Sequence, residues 1–291
     1  MGLFSDVLLT VDYDRTLTAP DSTIPERNLE AIRYFMENGG AFTINSGRSL
    51  PMTACFRDIV PVSAPLLLYN GSACYDTATG ELLNCREIDL DPEMLIRDLE
   101  TRFPELILEL QGVQAHHIFH KDPGWERYCE NNKGAWAYAK PDDIPLPFLK
   151  LALYGQFREN TVASMYEATK EELRQFDEAI AYILQTYGEK VDIFRACARI
   201  ADIHQKGVSK CKSARWLQTQ MGRSILVCVG DAENDISMLD GADFAFCPAD
   251  GVVADRYPNV CNCADGAVAD VIYQKIPDIL ENRLDIEQKL C

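Results

Sequence analysis

The stretch LLTVDYDRTLT, Leu8 to Thr18, begins as an apolar run and ends as a polar cluster. Leu8–Val11 is short and apolar, which is typical of a parallel strand that is buried on both faces. Asp12 and Asp14 follow at once, and Thr16 comes two residues later. Neighbouring buried carboxylates raise one another's pKa, so two of them at a strand end need a compensating cation. We therefore expect a functional site where this strand ends.

Strand and helix patterns alternate beyond this stretch. STIPERNLEAIRYFMENGG (22–40) has apolar residues at helical spacing, a proline where the helix begins and glycines where it ends. AFTIN (41–45) and PLLLYNGS (65–72) read as the next two strands, and SACYDTATGELLNCREI (72–88) reads as a hairpin that turns near Gly80. A βαβαβ order predicts a doubly wound parallel sheet.

The pattern changes between residues 89 and 204, where longer amphipathic segments predict an α+β unit. Its helix candidates are DPEMLIRDLETRF and NTVASMYEATKEELRQFDEAIAYILQTYG, and its strand candidates are ELILEL, HHIF and FLKLALYG. The α/β pattern then resumes with SILVCVGD and FAFCP. The sequence thus predicts an α/β fold with a Rossmann-like, doubly wound parallel core (1–87 plus 205–291) and an inserted α+β domain (88–204).

Composition excludes several classes of function. The chain has 28 basic and 45 acidic residues and a net charge of −17, which disfavours nucleic acids and anionic membranes as partners. No run approaches the ~18 apolar residues of a membrane helix, and the N-terminus lacks the features of a secretory signal. The 11 cysteines include no C-x-x-C pair, so we expect reduced thiols in a cytoplasmic protein.

Polar clusters follow three of the predicted strands. They are Asp12–Thr16, then Ser46-Gly47-Arg48, then Gly230–Asp235. The carboxyl ends of parallel strands lie at one edge of a sheet, so these distant clusters should meet there. In HQKGVSKCKSA, either Lys206 or Lys210 could supply positive charge to the acidic site, and the GVSK context favours Lys210.

This ordered set resembles the haloacid dehalogenase superfamily of phosphohydrolases. The matching residues are Asp12-x-Asp14-x-Thr16, Ser46-Gly47-Arg48, Lys210 and Gly230-Asp231-x-x-Asn234-Asp235. The segments YNGSACYDTATGELL, KGVSK and DGAVADVI are similar to its Cof-like subfamily, whose large α/β cap (type IIB) is inserted after the third strand. The resemblance covers residues 8–87 and 205–275; in the insert it rests on position and length.

The resemblance implies a Mg²⁺-dependent phosphatase that forms an aspartyl phosphate. Asp12 would be the nucleophile, and Asp14 would act as general acid and then as general base. Asp12, Asp231 and the main-chain carbonyl of Asp14 would hold Mg²⁺, a cation that prefers oxygen ligands. The substrate implied is a small phosphorylated metabolite, such as a sugar phosphate.

The remaining residues of the set are expected to support this chemistry. Lys210 would neutralise the nucleophile and the phosphate, and Ser46 and Gly47 would bind phosphate oxygens. The side chains expected to orient the metal ligands are Thr16, Asn234 and Asp235.

The stretch FCPADGVVAD (246–255) departs from the subfamily pattern, and so do two positions of the predicted site. Arg15 stands where the subfamily usually has glycine, which puts the local turn in question, and Ser46 stands where it usually has threonine, which keeps the hydroxyl. The insert contains a cluster of three histidines, His116, His117 and His120. Neighbouring residues of a strand point to opposite faces, so His116 and His117 are not spaced to bind one metal ion.

Two alternative functions remain open on the sequence. A phosphomutase of hexose phosphates would use the same core but would need a cation in the cap for a second phosphate, and Lys150 and Arg195 are the candidates. A non-catalytic phospho-acceptor would also use a strand-end aspartate, Mg²⁺ and a lysine, but it would not need a second acid. Neither the oligomeric state nor the cap residues that select the substrate can be read from the sequence.

Overall fold

A computed structural model describes residues 2–119, 123–132, 134–144, 146–155 and 170–282. Within these residues the strands form three sheets of five, six and three members. No helix in the described part of the chain is long and apolar enough to cross a membrane.

The five-stranded sheet is parallel and forms the centre of the core. Its strand order is β14-β13-β12-β1-β2. The strands are β1 (Val7–Val11), β2 (Ala41–Ile44), β12 (Ile225–Val229), β13 (Phe244–Pro248) and β14 (Asn259–Val260). Every residue of β1 is buried, as the apolar run predicted. The parallel α/β core expected from the sequence is confirmed.

A three-stranded antiparallel sheet extends this core. It consists of β3 (Leu66–Leu68), β4 (Ala73–Asp76) and β5 (Glu81–Cys85), and the predicted hairpin turns at Gly80, whose φ is 74°. A parallel bridge between Asn45 and Leu67 joins this sheet to the end of β2.

The six-stranded sheet contains the strands between residues 107 and 205, in the order β10-β11-β9-β6-β7-β8. They are β6 (Ile107–Gly112), β7 (His116–Ile118), β8 (Trp136–Tyr138), β9 (Phe148–Tyr154), β10 (Val191–Cys197) and β11 (Ile200–Gln205). The sequence predicted β6, β7 and β9, whereas β8, β10 and β11 were not recognised.

Seven α-helices accompany these sheets in the described residues. They are α1 (Glu26–Glu37), α2 (Pro92–Arg102), α3 (Pro123–Asn132), α4 (Lys170–Tyr187), α5 (Lys210–Gln220), α6 (Ile236–Asp240) and α7 (Ala267–Asp270). The start of α5 matters most for the site, because Lys210 is the first residue of this helix. The Ser209 side chain caps the helix by accepting from the Lys212 main-chain amide. A short 3₁₀ helix, Pro51–Cys55, lies between β2 and β3.

The two faces of the six-stranded sheet differ in chemistry. One face packs its aliphatic side chains against α2 and α4 to form a separate apolar core. The other face carries buried polar side chains at the end nearest the parallel sheet, and some of them contact core loops directly: Glu109, Gln111, His116, Lys150, Asp202 and His204. The insert is therefore joined to the core by polar contacts.

Candidate active site

Asp12 and Lys210 form a buried ion pair where β1 ends. The Lys210 ammonium donates to Asp12 Oδ1 at 2.5 Å and to Asp235 Oδ1 at 2.6 Å. Burial alone would lower the pKa of Lys210, but these two carboxylates raise it, so the lysine stays charged. The geometry places Lys210 in the acidic cluster, while Lys206 pairs with Asp192 at 2.7 Å on the half-exposed surface.

Asp231 lies at the end of β12 and is held by two neighbouring segments. Thr16 Oγ1 donates to Asp231 Oδ1 at 2.9 Å, which links the β1 turn to the β12 turn. Asp235 Oδ2 accepts from the main-chain amides of Asp231 at 3.0 Å and Ala232 at 3.1 Å. Thr16 and Asp235 thus contact the predicted metal ligand. Asn234 lies half-buried in the same turn.

Three carboxylates converge at this point: ligand atoms of Asp12, Asp231 and Asp235 lie within 4.8 Å of one another. Burial raises the pKa of Asp12 well above its usual range, with Lys210 acting in the opposite direction. Burial, followed by the charge of Asp235, raises the pKa of Asp231 to about 7. One ammonium does not balance three carboxylates, so the cluster is suited to a hard divalent cation.

Asp14, the predicted acid and base, carries its carboxylate toward Arg48. The guanidinium donates from Nε to Oδ2 at 2.8 Å and from Nη2 to Oδ1 at 2.7 Å, a bidentate pair. The Arg48 guanidinium also stacks on the Tyr13 ring, 4.9 Å from its centre. The sequence placed Arg48 beside the site but assigned it no partner. The predicted role of the Asp14 main-chain carbonyl stays a prediction.

The segment Ser46–Arg48 follows β2, and we call it the phosphate loop because the sequence predicts that it binds phosphate. The Ser46 amide donates to Leu67 O at 2.9 Å, and the Ser46 hydroxyl accepts from the Arg48 amide at 3.2 Å. A Cβ on Gly47 would lie 2.9 Å from Asn70 Oδ1, so only glycine fits there without displacing Asn70. The loop is tightly positioned beside Asp14, as the convergence of strand ends predicts.

Arg15 adopts a left-handed backbone conformation with φ 60° and ψ 8°. Glycine reaches this region without strain, which agrees with the glycine that the resemblance leads us to expect at this position. The arginine is tolerated at an energetic cost, and the turn still delivers Thr16 to Asp231.

The histidines of the insert that the sequence singled out do not form one cluster in the described residues. His116 is buried, with Nε2 2.5 Å from Ser49 Oγ and Nδ1 2.6 Å from Glu109 Oε1. His117 is half-buried on the opposite face of β7, and His120 lies outside the described residues. No metal cluster of the described residues includes these histidines.

Lys150 and Arg195, the two cationic candidates, lie in different places. Lys150 is buried on the core-facing side of the sheet, where it donates to Gly47 O at 2.9 Å and to Asp202 Oδ2 at 3.1 Å. Arg195 pairs with Asp177 at 2.8 Å, on the side of α4. Only Lys150 of these two reaches the phosphate loop.

Sequence comparison places the chain among known hydrolases. The profile of the haloacid dehalogenase-like hydrolase family matches residues 9–254. The pyridoxal phosphate phosphatase YbhA of Escherichia coli is 26% identical over 289 residues, covering 92% of this chain and 98% of the relative. The 5-amino-6-(5-phospho-D-ribitylamino)uracil phosphatase YitU of Bacillus subtilis is 21% identical over 257 residues, covering 85% of this chain and 88% of the relative.

Solved structures share the fold along nearly the whole chain. A haloacid dehalogenase-like hydrolase from Bacteroides thetaiotaomicron superposes with a TM-score of 0.73 at 19% identity, covering 91% of this chain and 97% of that one. A subclass IIB sugar phosphatase superposes with a TM-score of 0.71 at 15% identity, covering 91% of this chain and 97% of that one.

These matches agree with the order of strand-end clusters read from the sequence and with the parallel core that brings them together. The chain belongs to the haloacid dehalogenase-like hydrolases, and within that family it is a phosphohydrolase of the Cof-like type.

Proposed function

We propose that this protein is a Mg²⁺-dependent phosphatase that hydrolyses a small phosphorylated metabolite through a phosphorylated Asp12. The observation that carries the proposal is the convergence of Asp12, Asp231 and Lys210 from three chain segments at one edge of the sheet. Strand-end carboxylates around a lysine fit phosphoryl transfer, because that reaction depends on positioning and on charge neutralisation.

The donor set fits Mg²⁺, since it consists of carboxylate oxygens. The ion would be held by Asp12, Asp231 and the main-chain carbonyl of Asp14. Asp235 would orient Asp231 by accepting a hydrogen bond from the Asp231 main-chain amide. When bound, the ion supplies positive charge to the phosphoryl oxygens and keeps the carboxylates ionised.

The side chains divide the remaining work. Asp12 attacks phosphorus, while Lys210 stabilises negative charge from its fixed position 2.5 Å away. Asp14 donates a proton to the leaving oxygen and then takes one from water. A bidentate pair occupies both carboxylate oxygens, so Asp14 has to release Arg48 before it can donate that proton.

A small substrate fits the burial of the site. Asp12 is 6% exposed and Asp231 is 3% exposed, with Lys150 of the insert covering the phosphate loop. We propose that residues 88–204 form a cap that opens to admit substrate and closes to exclude water. The relatives whose names specify phosphorylated small molecules support this size class.

A turnover screen tests the proposal. Purified protein is offered phosphorylated sugars, nucleotides, cofactors and an aryl phosphate, with MgCl₂ or with EDTA, and free phosphate is measured. We expect release with Mg²⁺ and loss of release with EDTA and in Asp12→Asn. Absence of phosphate release across the panel in the presence of Mg²⁺ would overturn the proposal.

The phosphomutase alternative requires a cap cation for a second phosphate. Lys150 lies in the right region, but Asp202 Oδ2 already accepts from it at 3.1 Å, which favours hydrolysis. Assaying the same reactions for isomerised sugar phosphate distinguishes the two activities.

A further inference from the structure

The turn Tyr69–Gly71, which follows β3, has an unusual backbone. Its three residues all have positive φ, with values of 52°, 53° and 99°. A left-handed conformation costs roughly 1–2 kcal/mol for a residue other than glycine. Such backbone strain persists where surrounding contacts enforce it, and it is concentrated at functional sites. The contacts of this turn therefore indicate what it is for.

On the core side, the turn holds the phosphate loop through its main chain. The main-chain amide of Asn70 donates to Ser46 O at 3.1 Å, and the main-chain amide of Tyr69 donates to Arg48 O at 3.0 Å. Asn70 Oδ1 is buried beside Gly47 and has no hydrogen-bond partner among the residues that the structure describes. A shift of this turn would therefore be transmitted to both ends of the phosphate loop.

On the insert side, the same turn is held by side chains of β11. Asn70 Nδ2 donates to Asp202 Oδ2 at 3.0 Å and lies 3.1 Å from His204 Nε2, and Asn70 is only 2% exposed. An ionised carboxylate can only accept, which fixes the orientation of the Asn70 amide. His204 then accepts at Nε2 and donates from Nδ1 to Ser72 Oγ at 2.9 Å.

Tyr69 makes a second link across the same boundary. Its hydroxyl donates to Gly112 O at the end of β6, at 2.8 Å, and accepts from the Leu50 amide at 3.0 Å. Two consecutive left-handed residues thus each connect the insert to the segment that follows β2.

We propose that Asn70 is a positioning residue that couples closure of the insert over the core to the geometry of the phosphate loop. The inference rests on the proposed function, because it takes Ser46–Arg48 as the segment that binds phosphate. When the insert moves away from the core, Asp202 and His204 separate from the side-chain amide of Asn70. The strained turn Tyr69–Gly71 then loses the contacts that hold it. The loop is then correctly placed only in the closed enzyme.

The test is an Asn70→Gly variant assayed with the best substrate of the Mg²⁺ screen. Glycine keeps the left-handed turn and removes only the amide side chain. We expect kcat to fall at least about tenfold while KM changes less, since a misplacement of about 1 Å at the reacting groups can cost about 100-fold. A kcat within about twofold of wild type would overturn the inference.

Ser72→Ala is the matched control. Ser72 contacts the same His204 ring, but its side chain makes no hydrogen bond to the phosphate loop among the described residues. We expect its kcat to stay close to that of the wild type. An equal loss in Ser72→Ala and Asn70→Gly would show that general loosening of the boundary explains both, and would overturn the specific role of Asn70.

A side-chain exchange provides a readout that a purely structural role does not predict. Asn70→Asp places a carboxylate against Asp202 and should lower kcat, whereas Asn70→Asp combined with Asp202→Asn restores a donor opposite an acceptor. We expect the double variant to recover at least about fivefold over Asn70→Asp, a non-additive result. Additive losses would contradict the coupling, and this arm remains decisive if Asn70→Gly does not fold.

The outcomes separate this inference from the proposed function. A wild-type enzyme without Mg²⁺-dependent phosphate release means that the proposed function fails. An active wild type with unaffected Asn70 variants means that only the coupling role fails.

Discussion

Lys210 shares its ammonium between Asp12 and Asp235 in a buried position. Replacing it with methionine leaves carboxylates without their counter-charge. We expect Lys210→Met to lower kcat by at least about 10²-fold and to reduce the free energy of unfolding by about 3 kcal/mol. Steady-state kinetics and chemical denaturation measure the two effects.

Lys206→Met is the matched control for that variant. Lys206 pairs with Asp192 in a half-exposed position, where an ion pair contributes at most about 1 kcal/mol. Its activity should remain close to that of the wild type. Equal activity losses in the two variants would contradict the assignment of Lys210.

Arg15 illustrates a local conflict between residue type and backbone. Because its φ is 60°, Arg15→Gly should relieve strain, and the greater freedom of glycine in the unfolded chain offsets part of that gain. We expect the free energy of unfolding to rise by up to about 1 kcal/mol, with kcat unchanged. Arg15→Ala, which removes the charge but keeps Cβ, should show no such gain. Stabilisation by alanine and not by glycine would contradict this explanation.

The sequence predicts which side chains meet more reliably than how they pair. Asp12 and Asp231 are placed together by the geometry of parallel strands, so strand-end position alone was informative. The bidentate pairing of Arg48 with Asp14 depends on side-chain rotamers across separate loops, which no local pattern encodes. The same is true of Asp235, which was expected only to orient ligands but also binds Lys210 directly.

Strands were recognised where their pattern was simple. β1 was predicted because Leu8–Val11 is a short apolar run, and all residues of the strand are indeed buried. β11 was missed because its polar residues Asp202 and His204 are typical of surface positions, although both are buried against the core. Such a strand resembles a surface strand or a loop in sequence, and only the contact with the core explains its polar positions.

The contribution of the contact between β11 and the core to the free energy of unfolding should depend on pH. Burial lowers the pKa of His204 to about 4, an effect that outweighs the nearby Asp202. The unfolded chain therefore takes up the proton first, so this contribution to stability is present above pH ~6.5 and is lost as the pH falls toward 4. We expect the free energy of unfolding to fall by up to about 1.4 kcal/mol per pH unit in this window on account of His204.

Denaturation curves of the wild type and His204→Asn at several pH values test this expectation. The variant should be less stable at pH 7 and should lose less stability than the wild type on acidification. Comparing slopes removes the contribution of the carboxylates, which titrate in both proteins. Parallel slopes would mean that the ring does not take up a proton on unfolding.

The folded protein brings together carboxylates that are distant in sequence, so a cation that binds them should stabilise the folded state. Ligands that bind only the native state raise the unfolding temperature by mass action. We expect millimolar MgCl₂ to raise the unfolding temperature of the wild type and to have little effect on Asp231→Asn. An equal rise in both proteins would indicate that Mg²⁺ binds elsewhere.

The most direct test of phosphoryl transfer to Asp12 uses Asp14→Asn and an activated aryl phosphate with Mg²⁺. A good leaving group does not need the acid, whereas hydrolysis of the aspartyl phosphate needs the base, so the intermediate should accumulate. Quenched reactions analysed by peptide mass spectrometry should show a phosphoryl group on Asp12, matched by a stoichiometric burst of aryl alcohol. A phosphoryl group on another residue, or turnover with no modified Asp12, would contradict the mechanism.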